Sequence, residues 1–223
     1  ACASIESLKD TEELMEQYPF VYGAFGIHPD DAEKMTEETL EEIRQLSRLP
    51  KAVAIGEIGL DYYWHKEEHE HEIQKKMFLA QMEIAREEKL PFMVHSRDAA
   101  KDTLDLVKDC MKGGMYGGII HCFSYGKEMA REYLDMGLYL GIGGVVTFKN
   151  AKKLKEVVAY APLEQLVLET DSPYLSPEPN RGKRNSSLNL SYVAEAIAQI
   201  KGCSAEEVIA ITEENAKKLL LRK

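Results

Sequence analysis

Four residues whose side chains can bind metal ions each end an apolar run of the chain. The runs and their last residues are KAVAIGE with Glu57, LPFMVH with His95, YGGIIH with His121, and LEQLVLETD with Asp171. Aliphatic and β-branched residues dominate these runs, which is typical of buried parallel strands. In a closed barrel the carboxyl ends of parallel strands converge on one face. Two carboxylates and two imidazoles meeting there would form a ligand set for divalent metals.

Two of these residues are also candidates for catalysis. The two oxygens of Glu57 could each bind one divalent ion, so that its carboxylate bridges a pair of metals. Asp171 precedes the Ser-Pro of a polar loop, where a carboxylate can orient a water molecule and accept its proton. We therefore predict that Glu57 and Asp171 take part in the chemistry as well as in metal binding.

Cations in loops that follow predicted strands indicate a phosphate site. Arg97 comes two residues after His95, and Arg181 lies in the segment NRGKRN. A guanidinium group can donate two parallel hydrogen bonds to a phosphate. We predict that Arg97 and Arg181 bind the phosphate of a substrate.

Two other motifs imitate functional sites. His69 and His71 resemble a metal-binding pair, but they lie in a charged run that continues into a helical pattern, where residues two apart diverge. The glycines of GIGG (141–144) lack the spacing of a dinucleotide-binding loop. We interpret the first as a solvated helix start and reject the second.

The elements that must position these residues alternate between strands and amphipathic helices. This alternation indicates βαβ units and a parallel sheet. Strands are predicted over 20–28, 51–57, 90–95, 116–121, 138–144 and 163–171, and helices over 36–48, 67–89, 98–111, 126–137, 150–161, 187–201 and 204–221.

Two α/β architectures are compatible with this alternation. A doubly wound open sheet would bind its ligand at one switch point, using two or three strand ends. Here five strand ends carry polar functional groups, which favours a closed TIM-type (β/α) barrel. No segment resembles a linker, so residues 1–223 are predicted to form one domain.

Composition limits the possible partners. No run of 18 apolar residues is present, so no membrane association is expected. The formal net charge of −10 argues against a broad basic surface for nucleic acid, although an enzyme could still hold one phosphate locally. The four cysteines form no C-x-x-C pair and the N-terminus shows no secretion signal, so we predict reduced thiols and a cytoplasmic protein.

Several motifs together resemble the TatD family of metal-dependent deoxyribonucleases, within the metallo-dependent hydrolase superfamily. They occur in the family's order along essentially the whole chain. They are GIHPDDA, AIGEIGLDYYW, PFMVHSRDA, GGIIHCFS, GIGGVVTFKN, LVLETDSPYLSPEPNRGKRN and TEENAKKLL.

The resemblance implies a (β/α)₈-type barrel with a two-metal centre, which hydrolyses phosphodiester bonds in DNA through a metal-activated water. It implies that Glu57, His95, His121 and Asp171 occupy ligand positions. It also implies that His28 and Arg97 line the substrate pocket, so we assign His28 to phosphate binding as well. The metals would be divalent ions such as Mg²⁺, Mn²⁺ or Zn²⁺.

The chain departs from the family at its first strand, which in the family ends in His-x-His. This sequence contains no such strand, so we expect a barrel that lacks the first βα unit and has seven strands. One metal would keep Glu57, His95 and His121, whereas the other would keep only Glu57 and Asp171. The second metal site is therefore expected to be impaired, and nuclease activity to be reduced.

Two other functions are compatible with the same residues. One is an amidohydrolase-type enzyme that cleaves a small amide or ester with similar metal chemistry. The other is a truncated, inactive barrel without a full complement of metal.

Overall fold

The computed structural model describes residues 1–221, whose strands form one sheet in the order in which they occur in the chain. Because a doubly wound open sheet reverses its strand order at a switch point, this order excludes that alternative. The predicted α/β class is confirmed. The chain divides into two compact units, Ala1–Ile119 and Ile120–Lys223, and the single domain over 1–223 stays a prediction.

The strands of the first unit run parallel to one another. They are β1 (Gly23–Phe25), β2 (Ala52–Asp61) and β3 (Phe92–Arg97), and β4 (Gly118–Ile120) begins at the end of this unit. In the register of β2 and β3, Gly59 lies opposite His95 and Asp61 lies opposite Arg97.

Strand β2 is longer than the sequence pattern indicated. Gly56 and Gly59 both lie inside the strand, which continues beyond Glu57 to Asp61. A Cβ atom on Gly59 would lie only 2.0 Å from the carbonyl oxygen of His95. Gly59 therefore allows the close approach of β3, and the prediction that Glu57 and His95 close their strands was wrong.

Four helices accompany these strands: α1 (Ile5–Gln17), α2 (Glu37–Leu46), α3 (Glu68–Glu87) and α4 (Ala100–Lys112). The first was not predicted, although its sequence carries helix signals. Ser4 and Ser7 form a reciprocal capping box, and Leu8 and Met15, seven residues apart, are buried on one face.

The expectation of seven strands was wrong, because the structure assigns six strands among the described residues. Residues 1–3 are not in a strand. They still make backbone hydrogen bonds: the Cys2 N–H donates to Ala24 at 2.8 Å, and the Cys2 carbonyl accepts from Glu57 at 2.9 Å. The segment is thus tied to β1 and β2 without forming a ladder.

The second unit continues the alternation of strands and helices. Its elements are β5 (Tyr139–Ile142), β6 (Leu166–Leu168), α5 (Lys127–Asp135), α6 (Lys152–Tyr160), α7 (Leu190–Lys201) and α8 (Ala205–Leu220). Strands β5 and β6 are parallel, with Leu140 opposite Leu166. The Asn215 amide on α8 donates to the carbonyls of Leu163 and Leu166 at 2.9 and 2.8 Å, which holds the start of β6.

Strand side chains form the core of each unit. Ile55, Phe92 and Val94 are fully buried in the first unit, as are Leu140 and Ile142 in the second. The four cysteines are not joined in disulfides, which agrees with the prediction of reduced thiols. Within residues 1–221, no helix combines the length and the apolar composition needed to cross a bilayer.

Candidate metal centre

The first unit brings three ligand-type side chains together. One potential ligand atom from each of His28, Glu57 and His95 lies within 4.8 Å of the other two. His28 follows β1, Glu57 lies in β2 and His95 lies in β3, so the parallel pairing of neighbouring strands creates the group. We call these three residues the first cluster. Two imidazoles and one carboxylate are a donor set that suits divalent ions such as Zn²⁺ or Mn²⁺.

His95 lies between two carboxylates. Its Nδ1 is 2.9 Å from Glu57 Oε1, and its Nε2 is 3.2 Å from Asp61 Oδ2. The Asp61 side chain is only 1% exposed, and its other oxygen accepts hydrogen bonds from the backbone of Tyr63 and Trp64. If Nε2–H donates to Asp61, the lone pair of Nδ1 can bind a metal ion. Glu57 would bind the same ion. This arrangement fits the metal that the donor set predicts.

Asp61 was missed by the sequence interpretation. It caps the loop, since it accepts the two backbone hydrogen bonds of Tyr63 and Trp64. Its spacing from Glu57 was an available signal, because residues an even number apart on a strand tend to share a face.

The two carboxylates change the protonation of His95. Burial lowers the pKa of the imidazole, but hydrogen bonds to Asp61 and Glu57 outweigh it and raise that pKa to about 8. Burial raises the pKa of Asp61, but the hydrogen bonds from His95, Trp64 and Tyr63 and the charge of His95 together lower it below its usual value. Without metal, the two carboxylates therefore favour a protonated His95 at neutral pH.

We expect the affinity of the first cluster for Mn²⁺ or Zn²⁺ to fall as the pH drops below that pKa. A metal must displace a proton from His95 wherever the imidazole is protonated beforehand, so acid competes with the metal. Well below the pKa, the affinity should fall about tenfold per pH unit. Calorimetric titration across this range measures the effect and counts the protons released. An affinity that does not change across neutral pH would contradict the expectation.

In the second unit His121 likewise lies between two carboxylates, and we call His121, Glu169 and Asp171 the second cluster. His121 Nδ1 is 2.8 Å from Glu169 Oε2, and His121 Nε2 is 3.1 Å from Asp171 Oδ1. The backbone N–H of Cys122 donates to Glu169 Oε1 at 2.6 Å. His95 and His121 thus each contact one carboxylate that was predicted as a ligand, Glu57 or Asp171. Each also contacts one that was not, Asp61 or Glu169.

Space for Glu169 depends on Gly141 in β5. A Cβ atom at position 141 would lie 2.1 Å from Glu169 Oε2. Glu169 was missed because only the last residue of LETD, Asp171, was considered as a ligand. Its position two residues before Asp171 was an available signal for a carboxylate of the same site.

We expect Asp61→Asn to weaken metal binding by about 10- to 100-fold, the usual effect of removing a carboxylate that orients a ligating histidine. The asparagine keeps the side-chain volume and can still accept the backbone hydrogen bonds of the loop. Metal titration measures the change. Asp105→Asn is the control, because Asp105 lies exposed on α4 and pairs with Lys101. An Asp61→Asn affinity equal to that of the control would contradict a positioning role.

The two predicted phosphate-binding arginines are each placed over an aromatic ring. The guanidinium carbon of Arg97, at the end of β3, lies 4.0 Å from the centre of the Tyr63 ring. That of Arg181 lies 4.2 Å from the centre of the Phe148 ring. Both side chains are exposed. Their roles stay predictions.

The structure gives His28 a second candidate role, and its predicted role in phosphate binding stays a prediction. The imidazole belongs to the first cluster, where its ring centre is 4.3 Å from that of His95. Its Nδ1 accepts the Asp30 N–H at 3.2 Å and so caps the turn over Pro29–Lys34. The geometry thus makes His28 a candidate ligand, a role that the sequence interpretation did not give it.

The histidines of the charged run lie near the start of α3, as predicted. His69 is exposed, and His71 stacks on Tyr62 with ring centres 3.6 Å apart. His65 contacts Asp30 and Glu70, each at 3.1 Å. In the described part of the chain, none of the three belongs to a group of three potential ligands.

Comparison with known proteins places this geometry in a family. A family model described as TatD related DNase matches residues 1–221. The uncharacterized metal-dependent hydrolase YabD of Bacillus subtilis is 50% identical over 208 residues, which are 93% of this chain and 80% of that protein. The 3'-5' ssDNA/RNA exonuclease TatD of Citrobacter rodentium is 35% identical over 217 residues, 95% of this chain and 81% of its own length.

A solved structure shows the same fold. The crystal structure of YJJV, a TatD homolog from Escherichia coli, superimposes with a TM-score of 0.91 at 28% identity. The match covers 100% of this chain and 85% of that one. It confirms the predicted TIM-type barrel class.

Proposed function

Because the chain belongs to the TatD family of metal-dependent hydrolases, and is a hydrolytic enzyme, we propose that it cleaves phosphodiester bonds in DNA. The observation that carries the proposal is the first cluster, with Arg97 two residues beyond His95 on the same strand. One ligand of the metal group, His95, and a cation for a phosphate, Arg97, thus lie on the same strand, and this combination suits a charged phosphodiester better than a neutral amide or ester.

The bound metal would act as a Lewis acid toward a phosphoryl oxygen and make water a better nucleophile at neutral pH. Glu57 and His95 would hold it, and Asp61 would fix the orientation of the His95 ring. His28 is added to these ligands by the geometry. The family's metals include Mg²⁺, Mn²⁺ and Zn²⁺, and the imidazoles favour Mn²⁺ or Zn²⁺ over Mg²⁺.

Asp171 would accept the proton of the attacking water. Its side chain is 30% exposed, so that solvent reaches it, and its Oδ1 also contacts His121. Glu169 on the other nitrogen would keep His121 in one orientation. A carboxylate in this position contributes general-base catalysis, and His121 and Asp171 also remain our candidates for metal binding.

Arg97 and Arg181 would neutralise the phosphate. Each guanidinium lies over an aromatic ring, which restricts its motion and leaves its N–H donors for an anion. Local cations of this kind also explain how a protein of net charge −10 could use a polyanionic substrate. The relative named as an ssDNA/RNA exonuclease supports a nucleic acid substrate.

A substrate panel tests the proposal. Single-stranded DNA, duplex DNA, RNA, and small amides and esters would each be incubated with the protein and Mg²⁺, Mn²⁺ or Zn²⁺. We expect metal-dependent release of nucleotides, abolished by EDTA and restored by added metal. Hydrolysis of the amides or esters without cleavage of any nucleic acid would overturn the proposal in favour of an amidohydrolase.

A further inference from the structure

Two aromatic side chains are exposed next to the first cluster. Tyr63 and Trp64 follow the end of β2, and they are 42% and 65% exposed. Their rings meet edge to face, with centres 4.7 Å apart. We call this pair the aromatic platform. It presents two large π-surfaces to solvent on a loop that follows the carboxyl end of a strand, where substrates of β/α barrels bind.

Hydrogen bonds to buried side chains hold the backbone of the aromatic platform in place. The buried carboxylate of Asp61 accepts the Tyr63 and Trp64 backbone N–H groups at 2.9 and 3.0 Å with one oxygen. Gln74 on α3 fixes the backbone of Asp61 in turn, accepting its N–H at 2.9 Å and donating to its carbonyl at 3.2 Å. Because the backbone is fixed before a ligand arrives, little ordering entropy would be lost on binding.

The same carboxylate connects the platform to the first cluster. The second oxygen of Asp61 lies 3.2 Å from His95 Nε2. A single buried side chain therefore links the backbone that carries the exposed rings to a candidate metal ligand. A substrate whose reacting group lies at His95 would have its neighbouring groups within reach of the platform.

Two cations accompany the rings. The Arg97 guanidinium carbon is 4.0 Å from the Tyr63 ring centre and 5.6 Å from that of Trp64. The Lys66 ammonium is 5.2 Å from the Tyr63 ring centre and donates to the Tyr62 carbonyl at 3.0 Å. Proteins that bind single-stranded nucleic acids combine aromatic faces for bases with cations for phosphates.

We propose that Trp64 stacks on a nucleobase of a single-stranded nucleic acid while Arg97, aligned by Tyr63, holds an adjacent phosphate. This inference rests on the proposed function and names the form of its substrate. The bases of a duplex already stack on each other, so their faces are not available to Trp64. The platform therefore favours single strands over duplexes.

Exposure alone does not carry this inference. Phe20 is 76% exposed, but it precedes β1 and so lies at the opposite end of the parallel strands. Its ring centre is 5.8 Å from that of Tyr18, and no cation of residues 1–221 lies over its ring. Phe20 is thus a matched control, an exposed aromatic residue outside the region of the cluster.

Fluorescence gives a direct test, because Trp64 is the only tryptophan of the chain. The protein with Mg²⁺ would be titrated with a phosphorothioate oligothymidylate, which resists hydrolysis, and with an abasic strand of the same length and charge. We expect the thymidylate strand to quench the emission and the abasic strand to leave it nearly unchanged.

Variants provide an independent measurement by anisotropy of a labelled single strand. Trp64→Ala should weaken binding by roughly 5- to 150-fold, the range found when an aromatic partner of a base is removed. Trp64→Phe should retain most of the affinity, and Phe20→Ala should match the unchanged protein. Far-UV circular dichroism confirms that each variant is folded.

The outcomes separate this inference from the proposed function. Cleavage of single-stranded DNA without quenching, and with Trp64→Ala binding normally, would overturn the stacking site and leave the nuclease proposal standing. Quenching without cleavage of any nucleic acid would support the stacking site and overturn the nuclease proposal. Absence of both would overturn both.

Discussion

Replacing Glu57 by Gln is expected to remove most of the bound metal and to reduce hydrolysis on the order of 10³-fold, since a catalytic metal stabilises the transition state by several kcal/mol. Gln keeps the length and volume of the side chain but loses the negative charge that a divalent ion needs. The Glu57 carboxylate contributes to the first cluster and contacts His95 at 2.9 Å. Its neutralisation should therefore affect the metal and the His95 ring together.

The measurement is metal content by elemental analysis together with the rate of oligonucleotide cleavage. Glu13→Gln is the control, because Glu13 lies exposed on α1 and pairs only loosely with Lys9 at 3.7 Å. Both proteins should unfold at similar temperatures, since Asp61 remains to pair with His95 in the variant. Normal metal content and normal turnover in Glu57→Gln would exclude Glu57 from the metal centre.

Replacing Asp171 by Asn is expected to reduce hydrolysis by about 10²- to 10⁴-fold, the usual contribution of a general base. Asn is chosen because Asp171 has a left-handed backbone with a φ of 57°. Asn tolerates this region better than most residues, whereas Ala would add backbone strain to the loss of the carboxylate. The change therefore tests the charge of the side chain with little effect on the fold.

The chain offers a closely matched control in Asp98→Asn. Asp98 has a φ of 54°, follows β3 and is exposed, so the same substitution is made in the same backbone conformation. Cleavage rates and metal content would be measured for both variants. Loss of activity with normal metal content would assign Asp171 to proton transfer, and loss of both would assign it to metal binding. Equal activity in the two variants would contradict either role.

The periodicity of the sequence predicted most of the elements. Seven of the helices lie where amphipathic patterns indicated them, and all six assigned strands lie inside predicted apolar runs or overlap them. These elements can be predicted from local patterns, because burial of one helix face or of both strand faces requires apolar residues at regular spacings along the chain. The helix α1 was missed because the capping box at Ser4 was overlooked.

The boundaries of β2 and β3 could not be predicted in this way. A glycine in a sequence is compatible with a turn or with a close approach of two backbones. Gly59 serves the close approach, because the His95 carbonyl leaves no room there for a Cβ atom. Since that contact joins residues far apart in the chain, it cannot be inferred from the local sequence of β2.

The sequence by itself determined the family, the parallel α/β class and the four ligand-type residues, because motif order and hydrophobic periodicity are properties of the linear chain. Only the tertiary structure decided which partners each residue has. It grouped His28 with Glu57 and His95, placed Asp61 against His95 and Glu169 against His121, and left Trp64 exposed on the loop whose backbone Asp61 holds. The physical reason is that strand pairing and glycine-permitted close approaches fix these distances, and such contacts join residues separated by dozens of positions.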